Sequence, residues 1–425
     1  MKRIFVVSWF YPPLNSSEGL VTARLLAHTK YPCDVFTQAA SARWSYGLTA
    51  ELPTADNVRR IEAKADAPTA FAEEAFRYFQ ARRDAYSLVM TRSMPPECHA
   101  AGLAIKRAFP EIPWLASFGD PIKDNPYRHL DESLFSRWSV LSLKNRNASP
   151  GFCLSPRRAA HELLWLLRHR AALRERVMLS DLEDETIQRA DRILVNNRSE
   201  LRFLLPDEAL RDKAVLLRHS YDPALYEDLP RQRTGGKTRF VFTGTLDALR
   251  SACPLLEAIA ELKADTGDLE ERAEFLFFGT MAERDLAAIV RLGLTALVRY
   301  SPPISYADSL RQLSAADWAV HIDADLSEVW HENVFFAAKL SDYFGAHVPV
   351  FAIGMPSGDV TRCLERAGMV TVGFSVGEIK QALYEILYLG RRAVPDWDWI
   401  ASEFDVRRTA ERLDQVITEV VPDGI

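Results

Sequence analysis

Cysteine is scarce in this chain: five residues in 425, Cys33, Cys98, Cys153, Cys253 and Cys363, odd in number, far apart and without a C-x-x-C pair. That spacing argues against a disulfide framework or a zinc site and points to a reducing, cytoplasmic compartment. No apolar run approaches the ~18 residues needed to cross a bilayer. The opening MKRIFVVSWFYPP has an apolar stretch, Ile4 to Phe10, but it ends in Tyr-Pro-Pro and lacks a small-residue cleavage site. It reads as a first β-strand rather than a signal peptide. Positive charge is not in excess: 52 Lys and Arg against 58 Asp and Glu leave a net charge of −6, which argues against nucleic acid as a partner. Short repeats, low-complexity tracts and a Ser-His-Asp or Cys-His nucleophilic set are also lacking.

What is there is an ordinary globular composition, 48% hydrophobic and 26% charged, in a chain long enough for two or three domains. Short apolar runs alternate with longer amphipathic ones. Strands are expected at Ile4–Ser8, Cys33–Thr37, Ser87–Thr91, Trp114–Ser117, Arg192–Val195 and Val215–Leu217. After a break they resume at Arg239–Phe242, Glu274–Phe278, Val298–Tyr300, Trp318–Ile322, Val348–Ala352 and Met369–Val372. Helical periodicity lies between them, as in Pro254–Lys263 with Leu255, Leu256, Ile259 and Leu262. Strand alternating with helix means an α/β class of parallel sheets with helices on both faces. The break, EDLPRQRTGGK, is charged, holds Pro and two Gly, and reads as a linker. The expected organisation is a Rossmann-like domain over 1–226, a linker over 227–238, a second Rossmann-like domain over 239–398, and a final helix over 399–425 returning to the first. Ligands of such sheets sit at the carboxyl ends of the strands, which places the site in the cleft between the domains.

One segment departs from the acidic average. Arg137 to Arg176 carries nine Lys and Arg against two Glu, and within it HELLWLLRHRAALRERV has the pattern of a basic amphipathic helix. Such a helix lies on an anionic membrane surface or packs in a core with a solvated basic face, and the pattern leaves both open.

Two stretches carry ligand chemistry. Arg239–Phe242 runs into Thr243-Gly244, with Arg250 six residues after the glycine, where a helix begins. A glycine that admits close backbone approach, a helix start and one Arg suit a diphosphate. Farther on, Phe335, Lys339 and Asp342 are spaced for one face of a helix starting after Asn333-Val334. Lys339 suits the same anion and Asp342 suits vicinal hydroxyls, and phosphate plus diol is the signature of a nucleotide.

These segments, in order, resemble the glycosyltransferases of family 4 and their relatives, which have the GT-B fold. The resemblance runs through FYPPLNSSEG (10–19), TRSMPPECH (91–99), PWLASFGDP (113–121), QRADRILVNN (188–197), RHSYDPALY (218–226), FTGTLDALR (242–250), FLFFGT (275–280), SAADWAV (314–320) and KLSDYFGAHVPVFA (339–352). It implies a retaining transferase that takes a nucleoside-diphosphate sugar as co-substrate, with no metal and no other cofactor. It implies that Gly244 and Arg250 contact the diphosphate and Gly279 opens the nucleobase pocket, with Arg299 and Tyr300 bordering the base. Asp342 would hold the ribose, the backbone of Val334 and Phe335 would face the phosphates, and Glu332 and Asn333 would flank them. Arg250 and Lys339 would stabilise the leaving diphosphate. Ser17, Glu18, Gly19, His99 and Asp120 would lie on the acceptor side, with Asp120 closest to the chemistry. The acceptor would be a carbohydrate or a lipid-linked sugar, with 137–176 a contact to an anionic cytoplasmic membrane face. Four features differ from the family pattern: Val334 stands where a first acidic residue is usual, Thr245 where an extra Arg is common, Gly119 where His is frequent, and the amino-terminal loop has one glycine, Gly19, rather than two. A GT-B epimerase and a catalytically silent binding partner are the alternatives to a transferase.

Overall fold

The computed structural model describes residues 2–14, 16–39, 55–123, 125, 170–229, 236–247, 249–327 and 330–421. The described chain builds two all-parallel sheets. The first holds β1 (Arg3–Val7), β2 (Cys33–Gln38), β3 (Val58–Ala63), β4 (Tyr86–Arg92), β5 (Trp114–Ser117), β6 (Arg192–Val195) and β7 (Ala214–Leu216), in the order β3-β2-β1-β4-β5-β6-β7. The second holds β8 (Thr238–Thr245), β9 (Ala273–Thr280), β10 (Val298–Ser301), β11 (Trp318–Ile322), β12 (Val350–Ile353) and β13 (Val370–Val372), in the order β10-β9-β8-β11-β12-β13. The helices are α1 (Ser17–His28), α2 (Pro68–Gln80), α3 (Glu97–Ala108), α4 (Arg170–Arg189), α5 (Arg198–Leu204), α6 (Cys253–Thr266), α7 (Leu269–Arg272), α8 (Glu283–Arg291), α9 (Tyr306–Ser314), α10 (Lys339–Gly345), α11 (Asp359–Arg366), α12 (Val376–Tyr388), α13 (Trp397–Phe404) and α14 (Val406–Val420).

The strands are apolar on both faces because helices cover both. In β8, Phe240 and Phe242 point into one core, where they stack on Phe275 and Phe277 of β9 at ring distances of 4.7 and 5.7 Å. Val241 points into the other core with Ala319, Leu340 and Phe344. The expected α6 is present, with Leu255, Leu256, Ile259 and Leu262 all buried.

Three expectations change. The first sheet has a seventh strand, β3, whose sequence VRRIEA buries only Ala63 fully. An edge strand needs few apolar residues, so its charged sequence concealed it. The terminal helix is two helices, broken at Asp405, whose carboxylate accepts from the Arg407 amide at 2.9 Å and caps α14. The helix expected to begin after Asn333-Val334 begins at Lys339 and is only seven residues long, so Phe335 lies outside it. Residues 230–235 of the expected linker and 137–169 of the basic segment lie outside the described residues. Among the described residues no helix is long and apolar enough to cross a membrane.

The two halves meet through apolar and polar contacts. α14 packs Ala410, Leu413, Val416 and Ile417 against Leu25 and Leu26 of α1, and Asp414 accepts from the Lys30 amide at 3.2 Å. Arg218, beyond β7, pairs with Asp359 at the start of α11 at 2.5 Å. Strand order reverses between β1 and β4 in one sheet and between β8 and β11 in the other. The crevice at such a reversal, outside the carboxyl ends of the strands, is where open α/β sheets bind ligands.

Candidate active site

Beside the reversal of the second sheet, two glycines lie near the carboxyl ends of the adjacent strands β8 and β9. Gly244 and Gly279 are register partners with φ of +123° and +134°. A Cβ on Gly279 would stand 1.9 Å from the Gly244 carbonyl oxygen, so no side chain fits there. A Cβ on Gly244 would meet Lys339 Nζ at 3.3 Å, so the ammonium lies directly over a backbone without side chains. Gly279→Ala therefore combines a left-handed backbone with a clash. Denaturant titration should show a loss of about 1–3 kcal/mol or more, with the site distorted. An unchanged midpoint would mean that the β8–β9 tips are not held as described.

Lys339, the first residue of α10, reaches back over this floor. Its Nζ is 3.9 Å from the centre of the Phe242 ring, is sealed from solvent and has no hydrogen-bond partner. Burial, with the Arg250 guanidinium adding to it, holds its ammonium well below the ordinary lysine pKa; Asp323 and Asp247 act in the opposite direction. Arg250 is anchored by its amide, which donates to Asp247 Oδ1 at 3.0 Å. Two cations crowded together, one with an orphaned buried donor, form a site suited to an anion.

Two neighbours of this cluster were not singled out in the sequence. His321, on β11, is 1% exposed, and neither ring nitrogen has a hydrogen-bond partner. Asp323, just past the strand, is buried too, 4.0 Å from His321, and accepts from Asn333 Nδ2. Both sit in VHIDAD, where strand alternation offers no motif to mark them.

The remaining donor-side expectations are largely redirected. Asp342 does not stand open to a ribose: its Oδ1 accepts from Arg24 at 2.8 Å, Tyr306 at 2.8 Å and Tyr226 at 3.0 Å. Glu332 is held by Arg202 at 2.7 Å, Ser199 at 3.0 Å and Arg362 at 3.4 Å. The Val334 carbonyl accepts from Asn197 Nδ2 at 2.8 Å, and the Phe335 amide donates to Asn333 Oδ1 at 2.9 Å, so neither group is turned to a phosphate. For Asp342, Glu332 and Val334 the reason is common: they are bonded to α1, α5, α9, α11 and neighbouring loops, partners no spacing rule could supply, whereas the Phe335 amide is taken by a local turn. Arg299 and Tyr300 lie on the outermost strand β10, both exposed, with Arg299 3.9 Å from Glu274.

On the facing half, Ser17 opens α1 and Ser16 caps it, accepting from the Gly19 amide at 3.0 Å. A Cβ on Gly19 would lie 3.2 Å from the backbone of Phe10 and Tyr11, so this glycine serves close packing of α1. Glu18 pairs with Arg92 at 2.7 Å. His99 is fully buried, with Nδ1 2.6 Å from Thr91 Oγ1. Burial, with the Arg92 charge adding, lowers its pKa to about 3. It is a packed neutral histidine, not a group presented to an acceptor. Asp120 follows Gly119, whose carbonyl accepts from Asn196 at 2.6 Å. Beside it, Glu200 is buried, and burial, with Asp120 adding, pushes its carboxyl well above the usual range. Glu18, Asp120 and Glu200 thus gather at the carboxyl edge of the first sheet.

No protein-family model matches the sequence, and no curated protein is significantly similar to it. Solved structures share its fold. Sucrose-phosphate synthase from Thermosynechococcus elongatus is similar with a TM-score of 0.65 at 13% identity over 100% of both chains. HepE from Anabaena, in complex with UDP-glucose, gives 0.64 at 12% identity over 99% of this chain and 100% of that one. A putative UDP-N-acetylglucosamine 2-epimerase from Listeria monocytogenes gives 0.58 at 11% identity over 100% and 98%. The shared architecture is GT-B, two parallel-sheet halves facing across a cleft.

Proposed function

We propose that this protein is a glycosyltransferase that moves a sugar from a nucleoside-diphosphate sugar to an acceptor hydroxyl, with retention at the anomeric carbon. The observation that carries this reading is the buried, unpartnered Lys339 Nζ beside Arg250, over the two side-chain-free strand ends Gly244 and Gly279. A diphosphate satisfies the orphaned donor, and the glycines let it approach the backbone. The fold is shared with HepE in complex with UDP-glucose, which supports a UDP-sugar as donor. Arg299 and Tyr300, on the β9–β10 side, would border the base.

In the transfer, the acceptor oxygen attacks the anomeric carbon from the face the diphosphate leaves. The C–O bond to phosphate breaks with its electron pair passing to the diphosphate, and the acceptor proton moves to a phosphate oxygen. Lys339 and Arg250 stabilise the growing negative charge in a dry, preorganised field. The reading assigns that charge neutralisation to side chains, without a metal. Asp120 is the residue on the facing half assigned to the acceptor. We place the acceptor in surface polysaccharide or glycolipid assembly, at the cytoplasmic membrane face.

Thermal melts with UDP, GDP, ADP and dTDP test the donor site. One of the four should stabilise the chain, by about 2.7 kcal/mol at 100 times its Kd. No shift with any of them would overturn the reading. The clustering of Asp120 and Glu200, with the Glu200 carboxyl pushed up by burial, favours one rival, acid–base epimerisation of the sugar nucleotide. NMR of a UDP-sugar incubated with the protein alone separates the two: an epimeric product supports the rival, and transfer that requires an added acceptor supports the transferase.

A further inference from the structure

The apolar stripe of α4 is interrupted by a carboxylate. Leu179 and Ile187, four residues to either side, pack in the core of the first sheet at 8% and 4% exposure, and Glu183 lies between them at 0%. Helical spacing puts all three on one face, where a charge is costly to bury. The charge is spent on one partner, the turn that follows β5. Glu183 Oε2 accepts from the Ile122 amide at 2.7 Å and from the Lys123 amide at 3.1 Å. Its Oε1 makes no hydrogen bond and stands 3.6 Å from Lys123 Nζ, which pairs with Asp184 at 2.8 Å.

That turn carries Asp120. On one side of Asp120, both backbone groups of Gly119 are fixed: the amide donates to Ser93 Oγ at 2.9 Å, and the carbonyl accepts from Asn196 Nδ2 at 2.6 Å. On the other side the anchor is Glu183. Of these three anchoring side chains, Ser93, Asn196 and Glu183, the last alone changes charge with pH. Burial pushes its carboxyl up to about 7; the Ile122 amide, the Lys123 ammonium and the Lys123 amide act against the rise, and Asp184 adds to it. The cations of α3, packed beside α4, are directed elsewhere, Arg107 to Glu185 and Lys106 to Asp191.

We propose that Glu183 is a positioning residue: as a carboxylate it fixes the turn that holds Asp120 at the cleft, and on protonation it slackens that hold. The protonated group offers the two amides a neutral oxygen, and a hydrogen bond to an ion is roughly twice as strong as one to a neutral acceptor. The role of Asp120 toward an acceptor rests on the transferase reading; the clamp on its turn does not.

The test follows amide-exchange protection over 118–123 in the full chain across neutral pH. Alongside it, initial rates are measured with UDP-glucose as donor and glucose, galactose or N-acetylglucosamine as acceptor. Glu183→Gln keeps the shape and one oxygen but not the charge, and since it removes a buried ion it should fold at least as well as the wild type. Lys123→Met removes the cation near Oε1 and so moves the Glu183 titration upward. In the wild type, protection at Ile122 and Lys123 should fall by about tenfold as Glu183 takes up its proton. The KM for the hexose should rise over the same range, with the KM for UDP-glucose unchanged. Glu183→Gln should give the low-pH values throughout, and Lys123→Met should shift the transition to higher pH. A merely structural role would move the unfolding midpoint and produce no such transition. Flat protection in the wild type, or a transition that survives in Glu183→Gln, overturns the proposal. So does a KM for UDP-glucose that changes in step with that of the hexose. A protection transition abolished by Glu183→Gln, with no hexose transferred at any pH, upholds the clamp and removes Asp120 from a hexose acceptor site.

Discussion

Lys339→Met is expected to cut turnover by about 10²- to 10³-fold, the usual effect of removing one preorganised donor at a developing negative charge. The same substitution is expected to stabilise the ligand-free protein. Lys339 buries an ammonium that has no hydrogen-bond partner and a cationic neighbour in Arg250, and replacing such a group by an apolar chain of similar length removes a desolvation penalty of about 1–3 kcal/mol. Opposite signs for activity and stability mark a residue kept for its ligand. The pH dependence has a defined sign. Because the folded pKa is depressed, the folded state holds fewer protons than the unfolded chain between that pKa and about 10.4, the unperturbed lysine value. The penalty is present in full below this window, and stability recovers as pH rises through it. Denaturant melts across alkaline pH should show this recovery in the wild type relative to Lys339→Met. A variant that loses stability and keeps its kcat would remove Lys339 from the diphosphate site. Arg250→Ala should lower kcat in the same direction.

Arg24→Leu should be among the most destabilising single substitutions, at about 3–5 kcal/mol, because it strands a buried partner. Arg24 is 3% exposed in its side chain and Asp342 is 15% exposed. The guanidinium donates to Asp342 at 2.8 Å, to the Ser220 carbonyl at 3.1 Å, to Ser341 Oγ at 3.3 Å and to the Tyr306 hydroxyl. Asp342 then keeps only Tyr226 and Tyr306. In the double variant Arg24→Leu/Asp342→Leu no uncompensated carboxylate is left, so part of the loss should return. Equilibrium unfolding of the two single variants and the double variant gives the coupling directly. Additive losses would show that Asp342 is not spent on Arg24, and would restore it as a candidate for a ribose.

The reassignment of Asp342 shows where reading residues in order stops. The spacing Lys339 to Asp342 is a local fact, and the turn that carries both residues forms as the local pattern suggests. What Asp342 binds is decided by α1 and by Tyr226, which lies 116 residues earlier in the chain. Glu332 tells the same story with Arg202 and Arg362, and Val334 with Asn197. His99 lies in a segment whose likeness implies an acceptor contact, but its depth is set by the strands and helices closing over it.

The chain by itself determined the class, most of the strands and the corner of glycines and cations. Alternating apolar runs with helical periodicity admit little but parallel α/β, and Gly244, Gly279, Arg250 and Lys339 are legible because glycine and cation are demanded by local backbone and charge. Tertiary structure alone decided which polar groups were already satisfied and which were left over. Asp342 and Glu332 found partners across the two halves, while Lys339 Nζ and the His321 ring found none. Residue type and spacing show which groups are able to bind a ligand. Whether such a group is still unsatisfied depends on long-range packing, because burial removes water and leaves each polar atom dependent on whatever the fold has placed within hydrogen-bonding distance.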